Sequence, residues 1–167
     1  MIIDLSEKNN KNSKKNKKVK YEKSEIKCTH FNCCLYSSFI FIINSLVAYY
    51  YEYYIYSLIF FGLFITSIIY HSTYNIYTNL LDKISIISVI SYGGWLFYNK
   101  IMNKVFSYKD YILCIVIITT FFATMYLFYY GYYFNKYCFS DDYITANYYH
   151  SLLHVISSLG HILIVLL

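Results

Sequence analysis

The sequence predicts an all-α, polytopic transmembrane helix bundle of about five helices, and three observations lead to that prediction. Of the 167 residues, 58% are hydrophobic and only 14% are charged, which leaves too little polar surface for a water-soluble domain of this length. Several apolar segments reach the roughly 18 to 25 residues that a helix needs to cross a hydrocarbon core. These segments are continuous and do not alternate in polarity, which excludes the strands of a membrane barrel.

Five apolar spans follow one another along the chain. They lie at about residues 31–49, 53–71, 81–98, 111–134 and 148–167. The link at residues 50–52 is so short that the first two spans must form an antiparallel hairpin. The other links, at about residues 72–79, 99–110 and 135–147, are polar. Residues 31–167 are therefore predicted to form one transmembrane helical domain.

A basic tail, residues 1–30, precedes the first span. Nine of the 14 lysines lie between Lys8 and Lys27, so the net charge of +5 comes from one end of the chain. The polar, repetitive composition of the tail predicts disorder. Because no nucleic-acid-binding fold accompanies the lysines, we expect an anchor on anionic lipid and no nucleic-acid partner. No cleavable signal peptide is visible, so the first span is expected to act as an uncleaved anchor.

The lysine distribution also predicts the orientation of this multi-pass membrane protein. The positive-inside rule places the N-terminal tail in the cytoplasm, although the sequence does not identify which membrane is involved. Lys100, Lys104 and Lys109 then lie in a link on the non-cytoplasmic side, which is contrary to the rule. The tail carries more lysines than this link, so we give the tail more weight. With this topology the end of the second span and the starts of the third and fifth spans meet one membrane surface.

Ionisable residues lie where those three spans meet. His150 and His154 are one turn apart near the start of the last span, so both imidazoles lie on one helix face. His71 ends the second span, Ser67 lies one turn before it, and Asp82 opens the third span. Ionisable side chains within a bilayer are costly, and they therefore indicate a functional site.

These residue types form a recognisable zinc-site pattern. Three neutral imidazoles and one water make the open tetrahedral site of a catalytic Zn²⁺, so His71, His150 and His154 are the predicted ligands. Such a site lowers the pKa of the water to about 7. A nearby carboxylate can orient that water and act as a general base, which is the role predicted for Asp82. Ser67 is predicted to hydrogen-bond the water or the oxyanion of the substrate.

The same residues resemble a known family. The S-x3-H motif ending at His71, the LLD motif ending at Asp82 and the segment YHSLLHVISSLG at 149–160 resemble the CREST superfamily of membrane metal-dependent hydrolases. That superfamily includes alkaline ceramidases, adiponectin and progestin receptors, haemolysin III proteins and myomaker-like proteins. The resemblance implies a zinc centre with the ligands and supporting residues given above, and a membrane lipid as substrate or ligand. Members have seven helices. The five helices of this chain would enclose a lipid cavity less completely, and a homo-oligomer would complete its wall.

Two functions from different classes follow from the pattern. The first is a zinc-dependent, ceramidase-like membrane hydrolase that cleaves an amide or ester bond of a lipid. The alternative is a non-catalytic receptor-like or structural membrane protein that keeps the zinc site. A transporter that uses His71 and Asp82 as a proton relay ranks lower, because no broken helix is visible at the membrane midplane.

Simpler interpretations exist for individual residues. His161 lies two turns deeper than His154, and a hydrogen bond across helices without metal is expected for it. Asp82 could be an interfacial residue at a helix N-terminus beside Lys83, and Ser67 could serve close helix packing. The juxtamembrane group of Cys28, His30, Cys33 and Cys34 could bind zinc or carry palmitate, but apolar filling is the expected role of its cysteines.

Overall fold

Residues 32–167 are described by a computed structural model of the protein, and within them the chain is helical. The helices are α1 (Cys33–Ser37), α2 (Ile40–Tyr50), α3 (Tyr54–Thr73), α4 (Ile76–Asn103), α5 (Tyr108–Met125), α6 (Gly131–Phe134) and α7 (Tyr143–Leu166). A π-helical turn at Tyr126–Tyr130 joins α5 to α6, and a 3₁₀ turn follows at Tyr137–Phe139. Within residues 32–167, five segments are long and apolar enough to cross a membrane: Cys33–Tyr50, α3, α4, Tyr108–Phe139 and α7. The predicted five-span helical membrane protein is therefore confirmed, whereas the tail at 1–30 lies outside the described residues.

Several span boundaries were predicted wrongly, because polar residues continue the helices. The polar stretch at 72–79 was expected to be a link, yet α3 ends at Thr73 and α4 begins at Ile76. The Asn75 side chain accepts a hydrogen bond from the backbone of Tyr77 and caps the start of α4. The third span therefore begins about five residues earlier than predicted, and it continues to Asn103.

Capping side chains also lengthen the last two spans. The fourth helical span begins at Tyr108, where Ser107 and Asp110 form a reciprocal capping box. The last span, predicted to start at residue 148, begins at Tyr143, because Asp142 accepts hydrogen bonds from the hydroxyl and backbone of Thr145. Those bonds hold the pKa of Asp142 below its ordinary value.

The first span is interrupted at Ser38 and Phe39, between α1 and α2. The Cys34 carbonyl oxygen accepts from the backbone N–H of Ser38 at 3.1 Å and from the Ser38 hydroxyl at 2.7 Å. The Ser37 hydroxyl donates to the same oxygen at 3.1 Å. Hydroxyls that bond to carbonyls of the preceding turn compete with the helical ladder and bend helices. The interruption turns both serines toward the bundle.

The bundle is built around α3 and α7. Helix α3 packs against α2 and α4, and α7 packs against α1, α2 and α5. The apolar core is formed mainly by Phe41, Ala48, Tyr56, Phe60, Leu63, Val89, Leu96, Ile117 and Ile164. Buried polar pairs join the same helices: the Ser45 and Ser57 hydroxyls are 3.0 Å apart, and the Ser158 hydroxyl donates to the Asn44 side chain at 2.6 Å. Such bonds hold transmembrane helices together.

Lysines at the end of α4 hold the end of α7. Lys100 donates to the carbonyl oxygen of Val165 at 2.7 Å, and Lys104 donates to that of Leu167. Lys104 also pairs with Asp110, with 2.7 Å between Nζ and Oδ1. Cations stabilise the negative end of a helix. Two of the three lysines that opposed the predicted orientation therefore have a structural role in the bundle.

Candidate metal centre

Three histidines from two helices meet at one end of the bundle. His71 lies in the last turn of α3, and His150 and His154 lie one turn apart on α7. The His71 ring centroid is 5.2 Å from that of His150 and 5.5 Å from that of His154, and the latter two are 5.0 Å apart. One ligand nitrogen from each ring lies within 4.8 Å of the others. The structure therefore brings together all three predicted metal ligands.

The site lies in an apolar environment. His71 is 3% exposed and His154 is 5% exposed, and His150 is half-buried. The rings of Phe41 and Tyr70 pack against them, with centroids 5.0 Å from His154 and 4.9 Å from His71 respectively. A buried apolar setting disfavours imidazolium, and the neutral imidazole is the form that binds metal ions.

The donor set fits a zinc ion. In a tetrahedral site with Zn–N bonds of about 2.0 to 2.1 Å, ligand nitrogens are about 3.4 Å apart. The separations here have an upper limit of 4.8 Å, about 1.4 Å above that distance. Three imidazoles leave a fourth position for water or substrate, as in catalytic zinc sites. Imidazole also suits copper, iron and nickel, so the donor set alone does not select the metal.

The face of α3 that carries His71 follows directly from helical periodicity. Tyr56, Phe60, Leu63, Ser67 and His71 recur every three or four residues, and all are buried. A single stripe therefore packs against the bundle along the whole helix, and its last member joins the two imidazoles of α7.

Ser67 is buried one turn below His71, as predicted. It is 1% exposed, and its hydroxyl oxygen lies 2.9 Å from that of Ser38. Because the Ser38 proton is donated to the Cys34 carbonyl oxygen at 2.7 Å, Ser67 is the donor between the two serines. Two lone pairs of the Ser67 oxygen are then available to accept hydrogen bonds.

Asp82 is buried beside the same segment of α3, but it does not open its helix. It is the seventh residue of α4 and 5% exposed, whereas the simpler interpretation expects a residue at the N-terminus of the helix. Its carboxylate accepts a hydrogen bond of 3.5 Å from the hydroxyl of Thr66, the neighbour of Ser67. The structure thus places Asp82 beside the Thr66–Ser67 segment and pairs it with a threonine, not with a histidine.

Hydroxyl residues of the first two spans were missed in the sequence. The Ser37 hydroxyl lies 2.9 Å from Nδ1 of His154, and Ser38 and Thr66 contact the two predicted supporting residues. The predicted topology brings the start of the first span to the same membrane surface as the histidines. The pair Ser37 and Ser38 within that apolar span was therefore the sequence feature from which their place near the histidines could have been predicted.

The remaining candidates do not belong to the cluster of His71, His150 and His154. Nδ1 of His161 is 2.5 Å from the Tyr56 hydroxyl on α3, which confirms the predicted hydrogen bond across helices. Cys34 is buried, as expected for a filler, and its thiol donates to the backbone of Asn147. Cys28 and His30 fall outside the described residues. In comparisons with known proteins, no family model, no curated protein and no solved structure matches this chain.

Proposed function

We propose that the protein is a zinc-dependent integral membrane hydrolase that cleaves an amide or ester bond of a membrane lipid. The convergence of His71, His150 and His154 carries this proposal. Hydrolysis needs an activated water, a base and a group that orients the reactants, and Asp82 and Ser67 are buried near the same end of α3. The motif positions that resemble the CREST superfamily are the ones that gather there, which favours the same reaction.

A bound zinc ion would supply a water with a pKa of about 7 and would polarise the substrate carbonyl. Asp82 is the proposed base, which takes a proton from the attacking water and passes it to the leaving nitrogen or oxygen. Because Ser67 donates its own proton to Ser38, its role is to accept a hydrogen bond from the water. It therefore orients the nucleophile, and donation to an oxyanion is the less favoured of its two predicted roles.

The position of the histidines supports a lipid substrate. His71 lies two residues before the end of α3, and His150 is the eighth residue of α7. The centre is therefore within about two turns of the ends of its helices, near the membrane–water interface. The amide and ester bonds that join lipid chains to their headgroups lie at this depth, so a lipid can present a scissile bond without leaving the bilayer.

The test combines metal analysis with hydrolysis assays on the purified full chain in micelles containing amide-linked and ester-linked lipids. We expect about one zinc per chain, and loss of zinc in His150→Ala. Asp82→Asn should retain zinc and lower the hydrolysis rate by about 10² to 10⁴-fold, the usual contribution of a general base. Asp141→Asn makes the same chemical change at an exposed residue and should leave the rate unchanged.

A non-catalytic membrane protein that retains the metal centre is the second candidate. The hydrogen bond between Thr66 and Asp82 favours it, because this carboxylate is already paired. Zinc bound by the wild type, with no hydrolysis of either lipid class, would support this candidate. Zinc content that is unchanged after replacement of all three histidines would refute both.

A further inference from the structure

The interrupted first span contributes a side chain to the metal centre. Ser37 is the last residue of α1, and its hydroxyl oxygen lies 2.9 Å from Nδ1 of His154 on α7. The two residues are 117 positions apart in the chain. This hydrogen bond is therefore formed only when the first and last spans pack together.

The positions of the protons in this contact determine which nitrogen of His154 can bind a metal. A neutral imidazole carries a proton on one nitrogen and a lone pair on the other. A serine hydroxyl has a single proton, and the Cys34 carbonyl oxygen, 3.1 Å from the Ser37 hydroxyl, is the acceptor available to it in this arrangement. Ser37 then accepts from Nδ1–H of His154. Nε2 keeps the lone pair and is the nitrogen available to a metal.

The opposite arrangement would disable the ligand. If Ser37 donated to Nδ1, the proton of His154 would lie on Nε2, and that nitrogen could not bind a metal ion. Metal-binding histidines nearly always donate their second N–H to an oxygen acceptor, which fixes the tautomer and the ring orientation. The Ser37 oxygen is such an acceptor.

The acceptor is itself held against the helix that carries His154. The Cys34 backbone N–H donates to the side chain of Asn147 at 3.2 Å, and the Cys34 thiol donates to the Asn147 carbonyl oxygen at 3.2 Å. Asn147 lies two turns before His154 on α7. The path from Asn147 through Cys34 and Ser37 to His154 is a chain of hydrogen bonds that begins and ends on α7, and it holds the Ser37 hydroxyl relative to the ring.

We propose that Ser37 is a positioning residue of the metal centre, which holds His154 in the tautomer whose Nε2 binds the metal. This inference rests on the proposed zinc centre. It makes the first span a part of the site, although every predicted ligand lies on the second and last spans.

Zinc affinity of the purified full chain, measured by competition with a chromophoric chelator, tests this role. We expect Ser37→Ala to bind zinc about 10 to 100-fold more weakly, the usual effect of removing the hydrogen-bond partner of a metal-binding histidine. Ser37→Thr and Ser37→Val have the same shape and differ in the hydroxyl. Threonine should retain wild-type affinity, and valine should lose as much as alanine.

Ser72→Ala is the matched control. Ser72 is the immediate neighbour of His71, is exposed, and donates to the Ile68 carbonyl oxygen within its own helix at 2.7 Å. Its removal should leave the affinity at the wild-type value. Cobalt bound in place of zinc gives a second measurement, since its absorption bands should change in Ser37→Val and stay unchanged in Ser37→Thr and Ser72→Ala.

The outcomes separate this role from the proposed function. Wild-type zinc affinity in both Ser37→Ala and Ser37→Val would overturn the role of Ser37 and leave the zinc centre standing. An equal loss in Ser37→Thr and Ser37→Val would also overturn it, because shape and not the hydroxyl would then matter. A wild-type protein that binds no zinc would refute the zinc centre, and the positioning role with it.

Discussion

Helix α7 carries histidines in two environments, about 10 Å apart along its axis. At one level, His150 and His154 meet a third imidazole, that of His71 on α3. At the other, His161 meets a phenol, that of Tyr56 on the same α3, at 2.5 Å. The residue type and the two helices are the same, so the partner that α3 supplies distinguishes the two environments.

The difference distinguishes a buried histidine with a local hydrogen-bond partner from one that is a candidate metal ligand. His161 is paired with a hydroxyl in a space that Gly93 leaves open: a Cβ at that glycine would lie 2.5 Å from the Tyr56 oxygen. This is a local, closed pair of polar groups, which serves helix association. At the candidate metal centre three imidazoles lie close together, and the hydroxyl of Ser37 on another helix lies 2.9 Å from one of them. One nitrogen of each ring thereby lies within 4.8 Å of the other two.

The largest expected effect is on zinc binding, compared between the two levels of α7. His154→Gln should lose the zinc of the wild-type protein, because two imidazoles do not make a stable zinc site. His161→Gln, the same change two turns further along the helix, should retain about one zinc per chain. Metal analysis of the two purified variants measures this difference. Equal zinc loss in both would erase the distinction between the two environments.

The sequence predicted the number of spans and the meeting of the three histidines because both depend on local patterns. Apolar length identifies a span, and the i, i+4 spacing of His150 and His154 places both rings on one face. The meeting of these two histidines with His71 could be predicted from the number of membrane crossings between them, which brings the end of the second span and the start of the fifth to the same membrane surface. These predictions could be made without knowledge of how side chains pack.

Helix ends and cross-helix contacts were not predictable in this way. The sequence pattern places Ser72 and Thr73 in a polar link, but both residues belong to α3, and their hydroxyls donate to carbonyl oxygens of the preceding turn of that helix. The contacts of Ser37 with His154 and of Tyr56 with His161 join residues more than a hundred positions apart. Such contacts depend on the rotation of each helix in the bundle, which no local pattern specifies.

A smaller effect is expected when space is removed at the deeper level. Gly93→Ala would place a Cβ 2.5 Å from the Tyr56 hydroxyl oxygen and 2.9 Å from Nδ1 of His161. The Tyr56 ring cannot move freely, because it is 0% exposed and packs against Phe60 with centroids 4.7 Å apart. Overpacking of this kind lowers the free energy of unfolding by about 1 to 3 kcal/mol. Thermal unfolding of the zinc-free protein in detergent measures the loss.

The neighbouring glycine provides the control for that change. A Cβ at Gly94 would meet nothing within 4 Å, so Gly94→Ala should cause no loss of stability, and alanine favours the helix over glycine. Zinc binding should be retained in both variants, since neither glycine contacts the metal centre. Equal stability of Gly93→Ala and Gly94→Ala would contradict the close packing of Tyr56 and His161 against α4.

The smallest effect is expected for the hydroxyl of the deeper pair. Tyr56→Phe removes the partner of His161 while the ring stays in place, and hydrogen bonds between transmembrane helices contribute about 0.6 kcal/mol on average and at most about 1.7 kcal/mol. Tyr92→Phe removes a hydroxyl from the ring that packs on Tyr56, with centroids 5.2 Å apart, and is the matched control. Unfolding of both variants should show a loss in Tyr56→Phe alone, with zinc content unchanged in both. Loss of zinc in Tyr56→Phe would mean that the two levels of α7 are coupled, and that His161 acts on the metal centre through the helix that carries both.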